Sequence, residues 1–150
     1  MEKILLAVDG SENSVKAAKK AGELAVALEA TVTILTVVTK DNMNSPVHSQ
    51  FEIERLIKER EKKIQEQGNE ILNKTANILK SFHQEKEIVI NKLLSSGDPA
   101  ENICEEAENN DYDLIILAST GEGGVKRFLL GSTSDRVARH AGTSVLIAKK

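Results

Sequence analysis

Two glycine turns, each beside hydroxyl residues, are where this 150-residue chain first points to chemistry. Gly121 and Gly124 follow Ser119 and Thr120, and Gly131 stands directly before Ser132, Thr133 and Ser134. Upstream, Leu114 to Ala118 is an unbroken apolar run that reads as a buried strand. Downstream, Ser132 to Asp135 fits the S-x-x-D pattern of a helix start, with Ser132 as its cap. Glycine allows φ > 0 and close backbone approach, while a helix N-terminus offers free N–H groups and a partial positive charge. Glycines and hydroxyls between a strand end and a helix start therefore suit phosphate oxygens. The same residues also serve any strand-to-helix turn, and neither G-x-x-x-x-G-K-S/T nor G-x-G-x-x-G occurs in this stretch.

Other chemistries find less support. No Ser/His/Asp or Cys/His arrangement stands out among three histidines. His140 is explained by a helix C-terminus, and His48 has no second ligand spaced to share a metal. Asp9 is the one weak metal candidate. Cys104, the only cysteine, excludes an internal disulfide and reads as a structural thiol on a helix. Hydrophobic residues make up 40% of the chain and aromatics 3%, so the core must be aliphatic. The net charge of −3 divides unevenly: residues 1–120 hold 14 Lys/Arg against 21 Asp/Glu, and residues 121–150 hold 6 against 2. The basic excess (Lys126, Arg127, Arg136, Arg139) fits a polyanionic ligand or a solvated helix face equally well. An acidic remainder with few aromatics argues against a nucleic-acid partner. No apolar run approaches the ~20 residues of a membrane span, and no leader pattern precedes the first strand, so a cytoplasmic protein is expected.

The elements that must position these residues alternate. Strands are expected at Lys3–Val8, Thr31–Val38, Glu87–Leu94, 113–118 and Thr143–Ala148. Between them fall a helix from the Asp9–Ser14 turn to about Glu29, with Val15, Ala18, Ala21 or Gly22, Ala25 and Leu28 facing inward, and a polar loop at 39–50. A long helix over about 51–82 carries Ile57, Ile64, Ile71 and Ile78, and either projects from the domain or bends near Gly68. Asp98 caps a helix that starts at Pro99 and runs to about Asn110, and Ser132–His140 forms the last one. One domain over 1–150 is expected, an α/β sandwich of three layers with a parallel sheet and right-handed crossovers.

Gly121, nine residues, Gly131 and Ser132 resemble the G-x-x-G-x9-G-S/T signature of the ATP-binding branch of the universal stress protein family. ILLAVDGSENS, GDPAENI, DLIILAS and VARHAGTSVLIAKK are similar to the family as well. The chain departs from the pattern at its first glycine, where Ala118 stands. The resemblance implies a five-stranded sheet in the order 3-2-1-4-5, the adenine nucleotide alpha hydrolase-like arrangement, with the ligand at the switch between strands 1 and 4. It implies nucleotide contacts at Ala7, Val8, Asp9, Val37, Ala118, Ser119, Thr120, Gly121, Gly124, Gly131, Ser132 and Thr133. Val37 would meet adenine through its backbone, Asp9 the nucleoside, and Gly121 and Gly131 the phosphates through their N–H groups. From residues alone, Asp9 serves as well to cap its own turn, and Ser132 its own helix. The implied cofactor is ATP, with Mg2+ as its companion, and the implied assembly a homodimer through strand 143–148. The leading expectation is a stress-response regulator or sensor that is not an enzyme and that also meets an unidentified protein partner. Ala118 favours the rival, a nucleotide-free dimeric interaction module. Slow ATP hydrolysis or autophosphorylation through Ser132 ranks third.

Overall fold

The computed structural model describes residues 2–39, 49–82, 86–120 and 129–149. Their elements are β1 (Lys3–Ala7), α1 (Glu12–Leu28), β2 (Thr31–Val38), α2 (Gln50–Lys80), β3 (Ile90–Ser96), α3 (Pro99–Asn109), β4 (Leu114–Ala118), α4 (Ser132–His140) and β5 (Ser144–Ala148). All strand pairs are parallel, in the order β3-β2-β1-β4-β5. Alternation along the strands divides the core. Ile4, Leu6, Val32, Ile34 and Ile116 pack against the small residues of α1 and against Leu72, Ala76 and Leu79 of α2. Leu5, Ala7, Leu35, Ile115 and Leu117 pack against Ala100, Ile103 and Ala107 of α3 and Val137 of α4. A sheet buried on both faces accounts for the unbroken apolar runs of the central strands.

Four expectations need correction. The helix expected after Ser14 starts at Glu12, because the Ser11 hydroxyl accepts the Ser14 N–H and caps it there. Its inner face is Ser14, Ala17, Ala18, Ala21, Gly22 and Ala25, so Val15 and Leu28, expected inside, are exposed. Small side chains win that face because α1 sits close: a Cβ on Gly22 would lie 2.6 Å from the Phe82 ring. The third strand begins and ends later than expected and takes in polar Ser95 and Ser96. It is an edge strand held by β2 alone, so hydrophobicity marks it weakly.

The fourth correction concerns α4. Its N-cap is Gly131, not Ser132, and no side chain caps it. Gly131 has φ −64° and ψ 160°, so no left-handed turn requires its glycine. What does is proximity. A Cβ there would stand 3.3 Å from both Ser119 O and Thr120 Cα.

The long helix projects. Every residue from Gln50 to Lys63 is exposed, and burial starts at Ile64 and Gly68. At Gly68 a Cβ would meet Leu94 at 2.5 Å and Val38 at 3.1 Å, so this glycine lets α2 press on β2 and β3. The expected loop 39–50 lies outside the described residues between 40 and 48; Ser49 is the N-cap of α2.

Candidate functional site

The chain reverses its direction of growth between β1 and β4, which pair with each other while their following helices leave on opposite faces. Such a switch point opens a crevice beyond the carboxyl ends of the strands. Here it is a cavity of about 440 Å3, within the range of roughly 300–1,000 Å3 typical of small-molecule sites.

Each wall follows from local structure. β1 delivers Ala7, Val8 and Asp9, and β2 delivers Leu35, Val37 and Thr39. β4 and its exit bring Leu117, Ala118 and Thr120, and α4 begins at the cavity with Gly131, Ser132, Thr133 and Ser134. Pro99 and Ile103 of α3 and Ser14 of α1 close the remaining sides.

β2 outruns β1. The Val8 N–H donates to Leu35 O at 3.0 Å, and the Thr36 hydroxyl donates to Val8 O at 3.2 Å, the last links between these chain segments. Backbone groups two residues apart on a strand face the same side. Val37 therefore directs its N–H and C=O to where β1 has ended, and it lines the cavity.

At the opposite wall, the first intrahelical bond of α4 is Asp135 N–H to Gly131 O, at 2.9 Å. The amides of Ser132, Thr133 and Ser134 precede it and have no partner within the helix. The expected Gly131 N–H is not among these donors, because it is spent on Ser119 O at 2.7 Å. The buried Ser134 hydroxyl lies 2.7 Å from the same carbonyl and 3.0 Å from Gly131 O. Two donors on one carbonyl pin the start of α4 to the end of β4. Ser119 thus contributes its carbonyl to this joint, and it is not among the described residues that line the cavity.

Asp9 closes its own turn, as one of its two readings had it, and faces the cavity. Its Oδ1 accepts the Ser11 N–H at 3.0 Å, closing an Asx turn, and the residue also lines the cavity. Gly10 follows with φ +82°, so this turn needs its glycine. Gly121, Gly124, Lys126 and Arg127 lie outside the described residues. The two described basic candidates are ion-paired: Arg136 with Asp98 at 2.7 Å and Arg139 with Asp135 at 3.0 Å, so the solvated-face reading holds for them. Hydrogen bonds from Arg136 and from the Glu101 N–H hold the Asp98 carboxyl below its ordinary range. That carboxylate also caps α3. Cys104 is half-buried, and burial pushes its thiol up, away from a reactive thiolate. Among the described residues no group of three or more His, Cys, Asp and Glu could hold a metal ion, and no helix is long and apolar enough to cross a membrane.

The lining residues missed from sequence fall into two kinds. Leu35, Leu117, Pro99 and Ile103 are apolar floor, indistinguishable in sequence from core. Ser14 and Thr39 are polar: Ser14 stands in the first turn of α1, just beyond Asp9, and the pairing of β2 with β1 brings Thr39 to the same place.

The chain is an open parallel α/β sheet with a cavity at its switch point, bordered by a helix start, the place where sheets of this kind hold small ligands. The universal stress protein family matches residues 1–149, and the chain belongs to that family. It is similar to universal stress protein MJ0531 of Methanocaldococcus jannaschii, 35% identical over 99% of this chain and 82% of that protein. It is also similar to universal stress protein YxiE of Bacillus subtilis, 31% identical over 98% of each. Among solved structures, protein MJ0577 of M. jannaschii superposes with a TM-score of 0.78 at 27% identity, covering 99% of this chain and 96% of that one. A universal stress protein in complex with cAMP has a TM-score of 0.70 at 24% identity, over 97% and 95% of the two chains. A family protein of Arabidopsis thaliana with AMP bound gives 0.69 at 17%, over 100% and 92%. At those last two identities the likeness speaks for the fold alone.

Proposed function

We propose that this protein is a cytoplasmic, stress-responsive regulator that binds an adenine nucleotide, ATP foremost, in the switch-point cavity and acts by binding, not by turnover. The observation that carries the reading is the pairing of two unlike walls. One holds three helix-start amides, the other a stretch of strand edge at Val37 that β1 no longer covers among the described residues.

A peptide N–H and C=O side by side match the donor and acceptor edge of adenine. Asp9 stands between the walls, where a ribose hydroxyl would donate to its carboxylate. The amides of Ser132, Thr133 and Ser134, at the positive end of α4, suit phosphate oxygens. The family resemblance adds Gly121 and Gly124, outside the described residues, to the proposed nucleotide contacts. Ala7, Val8 and Ala118 give the nucleoside an apolar surface. Mg2+, where it accompanies ATP, has Asp9 as its protein neighbour. That cAMP and AMP sit in proteins of the same fold supports an adenine ligand here.

β5 stands at the edge of the sheet, paired with β4 alone. A half-buried apolar edge strand invites pairing with a second copy, and the proposed assembly is a homodimer through residues 143–148. Sedimentation equilibrium at micromolar concentration should give twice the chain mass; a monomer overturns the assembly.

The nucleotide reading is tested by calorimetric titration with ATP, with and without Mg2+. A Kd near micromolar, about −8 kcal/mol, is expected. No heat up to millimolar ATP would overturn it and leave the interaction-module reading, which the exposed Phe51, Ile53, Leu56 and Ile57 of α2 favour.

A further inference from the structure

The side-chain amide of Asn13, in the first turn of α1, donates to the Thr120 hydroxyl oxygen at 2.9 Å. Both residues are half-buried. The bond joins positions 107 apart in sequence, and so ties the start of α1 to the exit of β4. Thr120 lines the cavity, and Asn13 stands behind it.

A threonine hydroxyl has one proton and two lone pairs. With a lone pair accepting from Asn13, the proton turns away from Asn13 and is left to find another acceptor. Thr120 shares its wall with the start of α4, since Gly131 sits close enough that a Cβ would reach Thr120 Cα at 3.3 Å. The helix-start amides on that wall are donors as well. A hydroxyl fixed as a donor there favours an oxyanion, whose charge-assisted hydrogen bonds are stronger than those an uncharged hydroxyl oxygen accepts.

We propose that Asn13 is a positioning residue: it holds the Thr120 hydroxyl as a hydrogen-bond donor to a phosphate oxygen, and so sets the preference of the cavity for phosphorylated ligands over the bare nucleoside. The proposal rests on the nucleotide reading above. Asn13 touches no ligand itself; it acts through Thr120.

The experiment is a calorimetric titration of ATP, AMP and adenosine into the wild type, Asn13→Asp, Thr120→Val and the double variant. A carboxylate at position 13 cannot donate. It accepts the Thr120 proton and turns the hydroxyl away from the ligand. The expected result for Asn13→Asp is about tenfold weaker ATP and AMP binding, about 1.4 kcal/mol, with adenosine unchanged within about twofold. Thr120→Val should show the same split. In the double variant the loss should match that of Thr120→Val alone, because the two residues work as one.

Three results overturn the proposal while leaving the nucleotide reading intact. One is equal loss for adenosine and ATP, which marks general damage to the site. Another is a full further loss from Asn13→Asp in the Thr120→Val background, which marks charge acting through space. The third is an Asn13→Asp protein that binds as the wild type does, which means that Thr120 donates to residue 13. A wild type that binds none of the three ligands overturns both readings together. If Asn13→Asp does not fold, Asn13→Ala should carry the same split at about threefold, because the released hydroxyl spends part of its time donating; no split in that variant overturns the proposal.

Discussion

Replacing Gly131 with alanine adds one methyl at the point where α4 meets the end of β4. The backbone there, at φ −64° and ψ 160°, suits alanine, so no dihedral strain enters. The methyl instead lies 3.3 Å from Ser119 O and from Thr120 Cα, both backbone atoms that cannot rotate aside. To make room, the Gly131 N–H to Ser119 O bond, now 2.7 Å, must lengthen, and the first turn of α4 must tilt away. Overpacking of this kind costs about 1–3 kcal/mol, and alanine caps a helix worse than glycine by roughly 0.5 kcal/mol. A stiffer unfolded chain returns about 0.4–1 kcal/mol. The net loss should be about 0.5–3 kcal/mol, with the melting temperature lower by about 2–4 °C for each kcal/mol in a protein of this size. Displaced amides should also weaken ATP binding by about tenfold, less than one charge-assisted hydrogen bond at its strongest. Urea unfolding without nucleotide and a parallel ATP titration read the two effects separately. An alanine variant with unchanged midpoint and unchanged Kd would refute the close-approach argument and the role of the helix start at once.

Ala118→Gly restores the glycine of the family pattern at a half-buried residue that lines the cavity. It should lower stability by about 0.5–1 kcal/mol and tighten ATP binding; an unchanged Kd shows that the methyl does not meet the ligand. Acid unfolding follows from two carboxylates. The Glu2 and Lys3 amides hold Asp113 below its ordinary range, as Arg136 and the Glu101 amide hold Asp98. The unfolded chain therefore takes up these protons first. Their contribution is complete above roughly pH 5 and is lost as pH falls through the unfolded and then the lower folded values. Asp113→Asn should flatten the acid limb of a stability-against-pH curve, and an identical limb would count against this assignment.

The sequence carried the central strands because burial on both faces leaves them continuous and apolar: Leu114–Leu117 is buried throughout. Strand order did not follow from alternation and needed the family likeness. The inner face of α1 misled because hydrophobicity ranks Val15 above Ser14, whereas close packing on the sheet rewards the smaller residue. Within the site, Asp9 and Gly131 could be named from a strand end and a turn, whereas Val37 and Ala118 needed the family likeness. The bond between Asn13 and Thr120 had no local signature, since only the pairing of β1 with β4 brings those segments together. The reason for Gly131 was likewise tertiary. A sequence shows that glycine is present, not whether a dihedral or a neighbour demands it.

Helix α2 spans 31 residues, yet its first half touches none of the core. From Gln50 to Lys63 its order comes from strong helix formers and from pairs such as Arg55–Glu59 at 3.8 Å, whereas Leu72, Thr75, Ala76 and Leu79 anchor the second half. A free helical segment of that length is marginal in water. Heating should therefore unwind α2 from its N-terminal end, residue by residue, well before the sheet gives way. The helical far-UV circular dichroism signal would then shrink in magnitude through the baseline ahead of the melting transition, and a two-state fit that ignored the drift would misjudge the enthalpy of unfolding.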